Sequence, residues 1–203
     1  MAVGPDAALN ADDQGTDQAP LADHWDGSEW SLTKAPGPAS TNSGGVGSET
    51  TLNSVSCPSA SSCMAVGTYD RPGPSETEVT FAERWDGSTW RVVPTPNPAG
   101  TAGLPISLVS VSCSSSSSCV AVGGYSKGKF GYPLAETWDS STWSLVQAPE
   151  PPGTSTGGLS GVSCSSPTNC KAAGTFWGKG DVSRPLVEHW DGSSLALLAT
   201  PGP

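Results

Sequence analysis

Six cysteines and a recurring set of carboxylates are the residues of this chain whose types and spacing could do chemistry. The cysteines fall as Cys57/Cys63, Cys113/Cys119 and Cys164/Cys170, each pair separated by five residues. Thiols so placed could form a redox centre, a metal site, or a disulfide across a hairpin turn. Zinc ligands favour about two to four intervening residues. An even count at regular spacing favours disulfides and an oxidising compartment. Three structural disulfides are therefore expected.

The carboxylates recur with the same regularity. Asp23, Glu83, Glu136 and Glu188 each stand two residues before a tryptophan, and Asp26, Asp86, Asp139 and Asp191 directly follow one. Paired carboxylates can act as acid and nucleophile in sugar hydrolysis. A catalytic pair is needed once, however, and this set occurs four times. The aspartates are expected to cap turns, and the glutamates to accept backbone or inter-sheet hydrogen bonds. His24 and His189, the two histidines, precede a tryptophan where Arg84 and Thr137 stand in other copies, as befits an exposed strand face. No Ser/His/Asp arrangement, dense calcium-binding loop or phosphate-cradling loop is read. Hence no catalytic residue, cofactor or metal ligand is assigned.

Tryptophan keeps two phases: Trp25, Trp85, Trp138 and Trp190, then Trp30, Trp90 and Trp143, with Leu195 in the last copy. Solvent-facing tryptophans can stack on sugar rings. Fixed phase and exchange with leucine instead point to packing between sheets. Four aromatics outside these phases and placed in the loops, Trp177, Phe130, Tyr132 and Tyr69, are the candidate ligand contacts.

The elements that must position these residues follow from the repeat. Trp-Asp recurs at steps of 60, 53 and 52 residues, and Val-Ser-Cys keeps the same beat at Val55, Val111 and Val162. A period of about 50 residues signals radial or stacked copies of one small unit. The units run approximately 1–51 (partial), 52–107, 108–158 and 159–203, within one domain spanning 1–203. In one unit, strands are expected at Leu52 to Cys57, Cys63 to Gly67, Phe81 to Asp86 and Thr89 to Val93, bounded by Ser, Gly and Pro. No helical stripe is present. Four short antiparallel strands per unit describe an all-β β-propeller of four blades. About fifteen strands are expected, because the first unit lacks its Val-Ser-Cys strand. The blades form either a ring missing one strand or, preferably, an arc of a larger ring, whose open faces could associate with another chain.

The run Ala121-Val122-Gly123-Gly124-Tyr125, then Glu136-Thr137-Trp138-Asp139 and Trp143, resembles a kelch repeat. The resemblance implies a propeller blade, like those in the central domain of galactose oxidase. The glycine doublet is complete only at Gly123-Gly124; Gly4, Gly67 and Gly174 are single. The cysteine pairs are not part of the usual kelch pattern, and are similar to those of Cys-containing propeller repeats in secreted actinobacterial proteins. Galactose oxidase's copper ligands cannot be matched here. The resemblance is specific for fold and says little of function.

Nineteen acidic residues against nine basic ones give a formal charge of −10. That balance disfavours nucleic acid and anionic membrane surfaces, and no apolar run approaches bilayer length. Met1-Ala2-Val3-Gly4 repeats Met64-Ala65-Val66-Gly67, so the chain is expected to begin inside a repeat of a longer protein. Cysteine usage points to an extracellular or cell-surface location. The expected function is non-catalytic binding or scaffolding of a protein or glycan ligand. The alternatives are a lectin-like propeller, or the non-catalytic propeller domain of a larger polysaccharide-acting enzyme. The contact surface is expected on the variable loops Gly4–Leu21, Thr68–Phe81, Gly124–Leu134 and Thr175–Val187.

Overall fold

A computed structural model describes residues 1–5, 20–38, 50–71, 77–153, 156–178 and 182–200. These residues form fifteen strands and no helix. The first sheet holds β1 (Ala2–Pro5), β2 (Pro20–Trp25) and β3 (Trp30–Lys34); the second holds β4 (Thr50–Ser59), β5 (Ser62–Arg71), β6 (Thr77–Trp85) and β7 (Trp90–Val93). The third sheet holds β8 (Ile106–Ser115), β9 (Ser118–Lys127), β10 (Phe130–Trp138) and β11 (Trp143–Val146). The fourth holds β12 (Thr156–Ser166), β13 (Asn169–Trp177), β14 (Ser183–Trp190) and β15 (Leu195–Leu197). Each sheet is an antiparallel meander in chain order. The all-β architecture is thus a four-blade, propeller-like arrangement. Among the described residues, extended strand contacts run between consecutive sheets: β1 lies against β4, β4 against β8, and β8 against β12.

The recurrent aspartates make the turn between the last two strands of each sheet. Asp86 Oδ1 accepts from the Ser88 and Thr89 amides at 3.0 and 2.9 Å, and from the Ser88 hydroxyl at 2.8 Å. Asp26, Asp139 and Asp191 repeat the arrangement. The turn needs a left-handed residue after the aspartate. Glycine supplies it at Gly27, Gly87 and Gly192, and Ser140 adopts it at φ 84° in the third sheet.

The conserved phase of Gly67, Gly123 and Gly174 has a different cause from the one expected. These glycines do not end their strands, which continue to Arg71, Lys127 and Trp177. Each sits opposite a bulge in the preceding strand, where the register skips between Leu52 and Ser54, Leu108 and Ser110, and Leu159 and Gly161. A Cβ on Gly67 would lie 1.8 Å from the Thr51 carbonyl oxygen; on Gly123 or Gly174 it would lie 2.0 Å from the facing carbonyl. Glycine is required because two backbones touch.

The core lies between the sheets. Met64, Val66 and Ala82 of the second sheet meet Trp138 and Trp143 of the third. Val120, Val122 and Ala135 of the third sheet meet Trp190 and Leu195 of the fourth. Trp85 and Trp90 close the equivalent cluster on the first sheet, over Ala22, Met1 and Val3. In each case the tryptophan phase of one sheet packs on the preceding one. Serines of the Val-Ser-Cys strands tie the same boundaries. Ser54 and Ser56 hydroxyls accept from the Val111 and Cys113 amides at 3.1 and 2.9 Å, and Ser110 and Ser112 do so for Val162 and Cys164 at 3.2 and 2.9 Å.

Candidate functional site

Disulfides join Cys57 to Cys63, Cys113 to Cys119 and Cys164 to Cys170, with Cα atoms 4.0, 3.9 and 4.0 Å apart. Cys113 and Cys119 are direct partners across β8 and β9, and Cys164 and Cys170 across β12 and β13. Each bond closes the hairpin between the first two strands of its sheet. No described cysteine is free. The three bonds fit an oxidising, extracellular environment.

The two carboxylate phases diverge in character. Amides of Glu29, Thr142 and Ser194, with nearby serine donors, hold Asp26, Asp139 and Asp191 down at about 2. Asp86 is lowered too, chiefly by the Thr89 amide. Glu83, Glu136 and Glu188 are fully buried. Burial raises Glu83 and Glu188 to about 7 and Glu136 to about 8. Glu83 Oε1 accepts the Gly37 amide at 2.6 Å, a bond from the segment joining the first two sheets. The expectation of such bonds fails for the other two: neither oxygen of Glu136 or Glu188 has a partner among the described residues. Buried carboxylates without donors keep their protons rather than pay the cost of charge.

The tryptophans also divide. Trp85, Trp90, Trp138, Trp143 and Trp190 are buried, whereas Trp25 and Trp30 of the first sheet are 44% and 55% exposed. Packing between sheets accounts for the first group; among the described residues no sheet lies over the pair on the first sheet. His24 is not simply solvent-facing either, since its ring stacks on Trp85 at 6.0 Å.

The expected loop contacts prove to be strand residues. Thr68–Phe81, Gly124–Leu134 and Thr175–Val187 are largely the arms of long hairpins, because β5, β9 and β13 run past their glycines. Of Gly4–Leu21, residues 6–19 lie outside the described residues. Tyr69 is on β5, half-buried, edge-on to Phe81 at 5.9 Å. Phe130 opens β10 and is 48% exposed; Trp177 closes β13 at 39%. The four are therefore spread over three hairpins. Tyr132 stacks on Tyr125, its register partner on the opposite strand, at 5.3 Å and 22°.

Beside that pair lies a 370 Å³ cleft lined by Tyr125, Pro133, Leu145, Gln147 and Glu150, with Pro98 entering from the preceding linker. Burial, then the Glu150 charge, raises the Tyr125 phenol. The cleft offers an aromatic wall, an amide and a carboxylate. Tyr125, Gln147 and Glu150 escaped the sequence reading because Tyr125 follows the glycine doublet in register, and the other two sit in a proline-rich linker. A second, polar hollow of 470 Å³ is lined by Asn53, Thr68, Asp70, Glu78 and Ser107. Among the described residues, no group of three or more His, Cys, Asp or Glu is disposed to hold a metal ion.

The fold and cleft define a disulfide-stapled, propeller-like repeat array with an aromatic recess on one sheet. No family model, curated protein or solved structure matches the chain.

Proposed function

We propose that this chain is a non-catalytic, kelch-like propeller segment of an exported protein, and that it binds or scaffolds a ligand through the hairpin arms of its sheets. The observation that carries the reading is the use of the recurrent residues. The cysteines are spent on disulfides, the aspartates on turns and most tryptophans on sheet contacts. The variable part lies outside that frame: Phe130 and Trp177, partly exposed at hairpin ends, and the cleft lined by Tyr125.

That cleft favours a glycan ligand over a protein one. The Tyr125 ring suits the apolar face of a sugar ring, and the Gln147 amide and Glu150 carboxylate suit its hydroxyls. The volume accommodates a small saccharide. The test is a glycan array probed with the full chain and with Tyr125→Ala and Trp177→Ala. A signal lost in Tyr125→Ala and kept in Trp177→Ala supports the cleft. A signal that survives Tyr125→Ala places binding elsewhere, and the absence of any glycan signal removes the lectin reading.

A further inference from the structure

The three internal boundaries are copies of one interface, and the two ends of the array carry its two halves uncovered. On the side facing the preceding sheet, each sheet presents an acid, then two large apolar residues. These are Glu83, Trp85 and Trp90; Glu136, Trp138 and Trp143; Glu188, Trp190 and Leu195, all buried. The first sheet presents Asp23, Trp25 and Trp30 there, with both tryptophans exposed. On the opposite side, Met64 and Val66, then Val120 and Val122, are buried under the next sheet. The fourth sheet presents Lys171 and Ala173 at those positions, both exposed, beside half-buried Val187 and His189.

We propose that the first sheet of one chain docks on the fourth sheet of a second copy, extending the array head to tail. The internal boundary supplies the template. His24 on the first sheet stacks on Trp85 of the second at 6.0 Å. His189 occupies the same phase on the fourth sheet, and Trp25 is the equivalent of Trp85, so His189 of one copy meets Trp25 of the other. Met64 shares a core cluster with Trp138. Lys171 stands in the place of Met64, where its aliphatic stem covers an indole and its ammonium lies over the ring face. Charge agrees with this arrangement, for the docking faces bring Asp23 from one copy and Lys171 from the other. Among the described residues the first sheet has three strands where the others have four. The contact therefore uses the outer three strands and is weaker than an internal boundary. Such a heterologous contact closes into a ring of copies where the rotation per sheet allows, and otherwise propagates. This inference is independent of the ligand reading.

Sedimentation velocity of the full chain from low micromolar to near-millimolar concentration tests it, with one variant blocked at each end. Trp30→Asp blocks the head and Ala173→Arg blocks the tail. Both positions are exposed, so the thermal melt of each variant at dilution should match the parent. The parent associates as concentration rises, into a closed ring of copies or a growing array, with a blue shift of tryptophan emission. Each variant alone loses association by at least about tenfold. Mixed in equal amounts, they form a dimer and nothing larger, because one intact head meets one intact tail. A parent that stays monomeric throughout overturns the proposal, whether its ends stay solvated or meet within one chain. So does association that persists in either variant alone.

Discussion

Trp90 donates its indole N–H to the Thr33 hydroxyl at 3.2 Å, across the boundary between the first and second sheets. Trp143 holds the same phase one sheet later. There Val93 replaces the threonine, and the buried Trp143 Nε1–H has no partner among the described residues. Val93→Thr keeps the shape and supplies the acceptor. It should stabilise the chain by about 1 kcal/mol, while Thr33→Val should cost a similar amount. Urea unfolding midpoints of both variants check this. Trp138 Nε1 is likewise unpartnered, although Trp85 and Trp190 donate to Ala60 and Pro167 carbonyls at 3.2 and 3.0 Å; nothing in the structure explains that difference.

Gly67→Ala should be severely destabilising. Its Cβ would lie 1.8 Å from a backbone oxygen that has no flexible side chain to yield. A loss of roughly 3 kcal/mol or failure to fold is expected. Gly161→Ala, with nothing within 4 Å of its Cβ, is the control and should be near neutral. Equal losses in the two would show that close backbone approach is not the reason for the glycine.

Ser56→Ala removes the acceptor of the Cys113 amide, a bond of 2.9 Å between the second and third sheets. The amide is then left unsatisfied in a partly buried place, at a cost of about 1–3 kcal/mol. Ser163 holds the same phase on the fourth sheet and is exposed. Ser163→Ala should leave stability unchanged in thermal melts run at dilution, where copies do not meet.

Stability should fall as pH rises from about 4.5 to about 8. The ordinary glutamate value is 4.5, and burial raises Glu83 and Glu188 to about 7 and Glu136 to about 8. Across that window the folded chain keeps protons that the unfolded chain has lost, so the unfolded state gains with each rise in pH, and the loss levels off above about 8. The aspartates act at the other end. Their lowered values give stability that is present above 3.8 and lost as pH falls toward about 2. The maximum should therefore lie near pH 4. Glu136→Gln should flatten the alkaline limb and make the variant more stable than the parent at pH 8 but not at pH 4. A parent curve that rises between pH 5 and pH 8 would refute the assignment of neutral, buried glutamates.

Much of the frame was written locally. Four phases of Trp-Asp and three of Cys-x5-Cys predicted repeated antiparallel sheets, hairpin-closing disulfides and aspartate-capped turns. These depend on residues a few positions apart, and they appear as expected. The candidate site was less legible. Tyr132 was singled out as a loop residue, yet it is a strand residue stacked on Tyr125, and the cleft beside it needs Pro98 and Glu150 from two different linkers. The glutamates show the same limit. Their phase marked them as structural, but Glu83 finds the Gly37 amide while Glu136 and Glu188 find no donor among the described residues.

Sequence alone determined the unit, because strand alternation, turn chemistry and cysteine spacing act over short stretches of chain. Only the tertiary structure decided which side of each sheet is covered. Trp25 and Trp85 are the same residue in the same local pattern. One is 44% exposed and the other 6%, because a neighbouring sheet lies over Trp85 and, among the described residues, none lies over Trp25. Burial is a property of what stands across the boundary, and no repeat carries that information within itself.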